Sequence, residues 1–337
     1  RHSHLRASFR KSYVGMLYSR WMKVGQNDLN YGFGDYNLTY LYSDGKRDKV
    51  WVDLYMGKDN ALLSADAQEA DIAFVWGNYK AAVRWSHRGD EIKHSHNLFS
   101  SGYASQCKVS QLMVNLNMPS YIMAHGYKGD LKWKDLNSKA EVTFYNVLPQ
   151  MPVPTGNDPE DIIQRQFGVE ASLYTTYDWN FGDNWGMKAG LRGICFHNPE
   201  SGTSCGVWPN ISLSYNGFHA GKVVASYGWN QQNLFYTGLS SSGLPAEFWL
   251  IAGRYSKPQY AQWVDLSYDV SFCRDMFSLS CGLYGKQLFN QVEYSGDLLD
   301  LFTTEYALDS HLLHGYGYNY GLNLMLHKQS GAFTGWL

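Results

Sequence analysis

The stretch Asp48-Lys49-Val50-Trp51-Val52-Asp53-Leu54-Tyr55-Met56-Gly57 decides the fold. Successive side chains of a strand point to opposite faces, so Val50, Val52, Leu54 and Met56 share one face. Lys49, Trp51, Asp53 and Tyr55 share the other. A helix would spread those charges around every side, and Val, Tyr and Trp favour extended backbone. The same period of two recurs along the chain. Tyr79, Ala81, Val83 and Trp85 oppose Lys80, Ala82, Arg84 and Ser86. Val169, Ala171, Leu173 and Thr175 oppose Glu170, Ser172, Tyr174 and Thr176. Val264, Leu266, Tyr268 and Val270 oppose Asp265, Ser267, Asp269 and Ser271, and Leu322, Leu324 and Leu326 oppose Asn323 and His327. Read this way the chain holds about 15 strand-like segments, with ends uncertain by roughly two to four residues.

The connections sort into two kinds. Short polar turns fall near residues 42–47, 88–91, 135–138, 180–183, 216–217, 273–276 and 328–331. Between them the pattern predicts long loops at 19–33, 58–71, 107–119, 149–165, 231–258 and 290–316; only 198–206 is short. Short turns at every second connection place all of them on one side of a sheet and the long loops on the other. A transmembrane β-barrel sorts its connections so, with short periplasmic turns, longer extracellular loops and strands that alternate apolar-out and polar-in. The fold class is therefore all-β, an antiparallel up-and-down transmembrane β-barrel.

Composition agrees. The 337 residues are 16% aromatic and only 17% charged, with 26 Tyr and 12 Trp. Tyr and Trp in such excess suit the belts at the two membrane interfaces. So aromatic a chain is not disordered, and neither a collagen nor a coiled-coil repeat is present. A net charge of −2 gives no footprint for nucleic acid. No run approaches the ~18 apolar residues of a membrane helix. An odd segment count, an opening Arg1-His2-Ser3-His4 without an apolar leader, and an ending inside an alternating pattern together suggest part of a barrel, spanning residues 1–337.

Ordered fragments then resemble a known family, the TonB-dependent outer-membrane receptors of Gram-negative bacteria. Phe9-Arg10-Lys11-Ser12-Tyr13 is similar to an early-barrel strand. Trp76-Gly77-Asn78-Tyr79-Lys80-Ala81 running to Arg84-Trp85-Ser86-His87, and Ala189-Gly190-Leu191-Arg192, resemble later ones. So do Ser226-Tyr227-Gly228 with Gln231, Leu244-Pro245-Ala246-Glu247-Phe248-Trp249, Lys257-Pro258-Gln259, Tyr284-Gly285-Lys286, and Tyr320-Gly321-Leu322 with Thr334-Gly335-Trp336. The family barrel has about 22 strands, so the resemblance implies a fragment lacking the plug domain and the C-terminal strands.

The resemblance implies energised uptake across the outer membrane of a scarce solute: an iron chelate, haem, cobalamin or an oligosaccharide. Expected partners are outer-membrane lipid, TonB and a plug domain in the full-length protein, the ligand and a surface lipoprotein; no enzyme activity and no cofactor is expected. A passive porin-like or adhesin barrel is the alternative, and a soluble carbohydrate-binding β protein a more distant one. By parity the lumen- and plug-facing residues are Lys80, Arg84, Glu170, Asp178, Lys188, Arg192, Lys222, Asp265 and Asp269. Both charge signs suit polar contact with a plug better than a single-sign pore. The long loops offer Tyr236, Phe248, Trp249, Tyr294 and Tyr306 as ligand-contacting aromatics, or as residues that pack the loops together.

Hairpin spacing permits disulfides between Cys195 and Cys205 and between Cys273 and Cys281, the first pair the more favourable. On the lipid face beside Leu279 and Leu283, Cys281 as a free thiol is a plain apolar residue. Cys107 has no obvious partner. His94 and His96 share a face, but two histidines without a third ligand do not make a metal site. No Ser–His pair, dinucleotide loop or nucleophile elbow is present.

Overall fold

A computed structural model describes the chain apart from residue 1 and residues 19–20, 25–26, 66–69, 112–113, 150–152, 155–164, 219–220, 239–246 and 297–307. The chain begins with β1 (Ser3–Lys11), a short helix α1 (Val14–Tyr18) and β2 (Lys23–Val24), followed by β3 (Asn27–Ser43) and β4 (Asp48–Ala65). Next come β5 (Ala70–Arg88), β6 (Ile92–Gln111), β7 (Val114–Trp133), β8 (Leu136–Leu148) and β9 (Val153–Pro154). They lead to β10 (Gln166–Phe181), β11 (Trp185–Asn198), β12 (Gly202–Phe218) and β13 (Gly221–Gln232). A small hairpin, β14 (Leu234–Gly238) and β15 (Glu247–Ile251), precedes β16 (Gln259–Phe272) and β17 (Phe277–Tyr294). A single 3₁₀ turn (Leu308–His311), β18 (Leu312–Lys328) and β19 (Gly335–Trp336) finish the chain.

All strands except β14 and β15 form one 17-stranded sheet, three of them only two residues long. The long strands pair antiparallel in chain order from β1 through β18, as short turns between neighbours require. One register row runs Leu5, Tyr40, Val52, Val83, Leu98, Tyr127, Val142, Ala171, Cys195 and Cys205. It is the outward face, where Leu98 and many other large apolar side chains are exposed. The opposite row, Asp53, Ala82, Phe99, Gly126, Thr143, Glu170 and Phe196, lines the interior. The β14–β15 hairpin touches β7, β8, β10 and also the distant β17, so the sheet curves around it.

The short turns carry their own chemistry. The Asp44 carboxylate accepts the backbone N–H groups of Lys46, Arg47 and Asp48 at 2.7, 2.9 and 3.0 Å, while Gly45 takes φ +78°. Those bonds, that of Lys46 foremost, hold the Asp44 carboxyl below the usual carboxylate range. Cys273, Arg274 and Asp275 are all left-handed, which closes the β16–β17 turn.

Two expected long loops are strand instead. The described residues within 58–71 and 107–119 continue β4, β5, β6 and β7, which reach 18, 19, 20 and 20 residues. A membrane crossing needs only about 9–11 residues per strand, so these strands rise well past the lipid band. The polar stretch Lys58-Asp59-Asn60 opens the expected loop. It is held extended by continuous pairing to Gly77, Trp76 and Val75. On the inner face above it, Phe74, Cys107, Val109 and Met118 are buried. That burial, about 1.5–3 kcal/mol for each large apolar side chain, outweighs local turn preference.

Candidate functional site: the lumen and its mouth

The β14–β15 hairpin folds inward. Phe235, Phe248, Leu250 and Ile251 are buried and share a core with Phe74, Met118, Ile122, Val147, Phe196, Tyr294 and Leu312. Phe248 meets Tyr294 edge-on at 5.6 Å between ring centroids. Polar bonds stitch the hairpin to the wall. Ile251 N donates to Gln166 Oε1 at 3.1 Å, and Ala252 N to Asn233 O at 2.8 Å. Asn233 Nδ2 donates to Glu170 Oε2 at 2.8 Å; Gln231 Nε2 donates to Asn233 Oδ1 at 2.9 Å; Trp208 Nε1 donates to Gln231 Oε1 at 3.1 Å.

The aromatic candidates therefore divide. Phe248 and Tyr294 lie in the core under the hairpin. Tyr236 is exposed, and Trp249 is half-buried with its ring 4.7 Å from that of Tyr236. Tyr306 lies outside the described residues.

The charged candidates lie on the inner face, spread over several strands. Arg84 stands over the Trp51 ring at 5.7 Å and donates to Ser95 Oγ at 3.3 Å; that hydroxyl in turn donates to Asp130 at 3.1 Å. Lys80 pairs in register with Tyr55 and Ser101. Asp178 is bridged to Lys188 at 3.6 Å and accepts a bond from Asn137. Asp265 stands opposite Ser226 and Tyr284; Asp269 stands opposite Lys222 and accepts the Ser280 hydroxyl at 2.6 Å. Arg192 lines an inner cleft of about 470 Å³ with Tyr174, Trp208 and Asn210 and the ion pair Lys128–Glu141, 2.8 Å long. The structure does not gather these charges into one cluster. It distributes them over a polar wall beneath an apolar mouth.

Among the described residues, Glu170 is the sequence-derived charge bonded at the base of the hairpin, through Asn233. Its partner Asn233, and Gln166, which accepts from Ile251 N, escaped the sequence reading, because buried Asn and Gln look like loop residues until the inward fold is seen. Cys195 and Cys205 are disulfide-bonded on the outward row, while Cys107, Cys273 and Cys281 are free. Burial pushes the Cys107 thiol up to about 12. His94 and His96 lie on the outward face, where His96 bonds to Tyr127 OH at 2.6 Å and to His94 at 3.2 Å. No group of three or more metal-binding side chains occurs among the described residues.

No protein-family profile matches the sequence, and no curated protein is similar to it. Solved structures are similar in fold. The FrpB iron transporter of Neisseria meningitidis aligns over 99% of this chain and 56% of its own, at 8% identity and TM-score 0.64. The Serratia marcescens hemophore receptor HasR, solved with its hemophore HasA and heme, aligns over 90% and 53%, at 9% identity and TM-score 0.62. The RagAB peptide importer aligns over 97% and 47%, at 8% identity and TM-score 0.60. The chain thus spans about half the length of the structures it matches. HasR and FrpB are TonB-dependent receptors. The antiparallel sheet described here has the architecture of part of a TonB-dependent receptor barrel.

Proposed function

We propose that the chain is wall and mouth of an outer-membrane receptor that takes up a scarce solute with energy delivered by TonB. The observation that carries this reading is the mouth. An apolar hairpin folds in over a polar lumen of mixed charge and is bonded to it through Asn233 and Glu170. A passive pore gains nothing from covering its own entrance, whereas a receptor that captures ligand before moving it does. A plug domain in the full-length protein would meet the inner-face charges, among them Lys80, Arg84, Arg192 and Asp265. Lipid would meet the apolar outer rows.

For ligand contact, Tyr236 and Trp249 present ring surface at the mouth, and Phe248 and Tyr294 support them from beneath. Similarity to receptors solved with heme and to a peptide importer leaves iron chelates, haem, cobalamin, oligosaccharides and peptides as the classes to try. A surface lipoprotein is a further partner to seek. The test is uptake across these classes by two strains set against their parent, one lacking this gene and one lacking functional TonB. Loss of one class in both strains supports the reading. TonB-independent uptake, with steady ion conductance of the full-length protein in bilayers, supports the passive-pore alternative instead.

A further inference from the structure

Two lysines stand at the rim of an apolar hollow in the outer wall. On β4 the outward positions after Asp48 are Val50, Val52, Leu54 and Met56, and then Lys58. The span from Asp48 to Lys58 is the length of one membrane crossing, about 9–11 residues. Lys58 therefore lies at headgroup level on the side away from the short turns. Its register row reads Lys11, Gly34, Lys58, Gly77, Ala104 and Tyr121. Only a glycine separates Lys11 from Lys58, across two strand spacings of about 4.8 Å each, so both side chains can reach one anion over Gly34. Both lysines are exposed, and neither has an ion-pair partner among the described residues. Among the described residues, the outward carboxylates of β3 to β7 are far from them: Asp48 at the turn end, Asp28 and Asp71 at the loop ends.

Beside this row the wall is indented. Gly77, Gly102 and Ala104 leave the backbone bare, and Tyr36, Met56 and Tyr121 stand around them to form a hollow of about 510 Å³. A second hollow of about 780 Å³ continues toward the short turns, sharing Tyr36 and Met56 and reaching Leu38, Leu54 and Ala81. An apolar channel capped by cations matches one lipid in shape and charge, with hydrocarbon below and phosphate above. Tyr36 and Tyr121 flank the cap, at the depth where amphipathic rings favour the membrane interface. Lipid that merely coats a barrel needs only a smooth apolar face. It has no use for a glycine-floored hollow that ends at two unpaired lysines. We infer that this hollow seats one anionic, phosphate-bearing lipid of the loop-side leaflet, its headgroup held by Lys58 and Lys11 and an acyl chain lying along Met56 and Leu54. The inference rests on the reading that lipid meets the outer rows.

The test uses the full-length receptor in detergent with dioleoyl phosphatidylglycerol, and with dioleoyl phosphatidylcholine as the counterpart without net charge. Native mass spectrometry reads the lipid retained. A phosphatidylglycerol carrying a diazirine in one acyl chain is photo-crosslinked, and its site is mapped in the digest. The expected result is preferential retention of phosphatidylglycerol, with labelling concentrated in the peptides that carry Tyr36 and Met56. Lys58→Glu should weaken its binding by about tenfold, and Lys58→Arg should bind as the unaltered receptor does. Gly34→Leu fills the dip between the lysines without changing charge, and a Cβ there meets only Arg10 O, at an ordinary 3.5 Å. It should weaken binding comparably, with folding of each variant checked by heat-modifiable gel mobility. Glycerol phosphate, a headgroup without chains, should not compete. Equal retention of the two lipids, labels spread evenly over the outer strands, competition by glycerol phosphate, or unchanged binding by Lys58→Glu would each overturn the inference and leave the uptake reading standing. A full-length receptor that stays monodisperse without detergent would overturn both.

Discussion

Replacing Phe248 by Ala should unseat the hairpin without unfolding the sheet. The ring is 3% exposed and packs edge-on against Tyr294. Removing a buried Phe costs about 3–5 kcal/mol when the cavity does not collapse, of which the aromatic pair accounts for about 0.5–1.5 kcal/mol. The sheet's ladders do not run through the hairpin, so the loss falls on local opening. Two amides report it: Ile251 N, bonded to Gln166, and Ala252 N, bonded to Asn233. At about 1.4 kcal/mol per tenfold, a loss of 3 kcal/mol raises their exchange by roughly 10²-fold. Exchange at core ladder residues such as Val83 and Leu98 stays as before. A cycle with Tyr294→Leu should give a coupling near the aromatic term. Unchanged exchange at Ile251 and Ala252 would show that the hairpin is not held by this core, and would refute the argument.

Thiol labelling of the folded protein should modify Cys273 readily and spare Cys107, with Cys195 and Cys205 reacting only after reduction; mass spectrometry of the digest checks it. Because the Asp44 carboxyl is depressed in the folded state, its turn bonds stabilise above the unfolded value of about 3.9 and are lost as pH falls through the lower, folded one. Amide exchange at Lys46, Arg47 and Asp48 should therefore quicken only in that acid window, and in Asp44→Ala at every pH. Gly77→Val should impair barrel assembly, since a Cβ there meets the Gly57 carbonyl at 2.5 Å, whereas Gly282→Val, with open space, should assemble normally as judged by heat-modifiable gel mobility. Trp249→Ala in the complete receptor should weaken ligand binding at normal surface expression; unchanged affinity would remove that ring from the site.

The strands were legible because a two-residue period needs no knowledge of partners. Val50 to Met56 declares its faces wherever its neighbours lie. Strand length was not legible. The extended state of Lys58, Asp59 and Asn60 depends on β5, which returns along them from residue 70. The inward fold of residues 234–251 was hidden for a similar reason: Phe248 and Trp249 are adjacent, and only contact with Tyr294 and Gln166 tells which one is buried. Charges on the inner wall followed from parity alone, but their partners, such as Ser95 for Arg84 or Asn233 for Glu170, come from other strands and loops.

The disulfide between Cys195 and Cys205 has a consequence for assembly. It joins residues directly opposite one another, so a slip of one residue between β11 and β12, which would turn every side chain to the wrong face, is covalently forbidden. Closing so short a loop removes roughly 2.5–3 kcal/mol of freedom from the unfolded chain in the entropic account. Were the chain inserted into a membrane from the periplasm, where thiols oxidise, this hairpin would reach it already cross-linked in its final alignment. It would serve as a template on which β10 can zip from the β11 side.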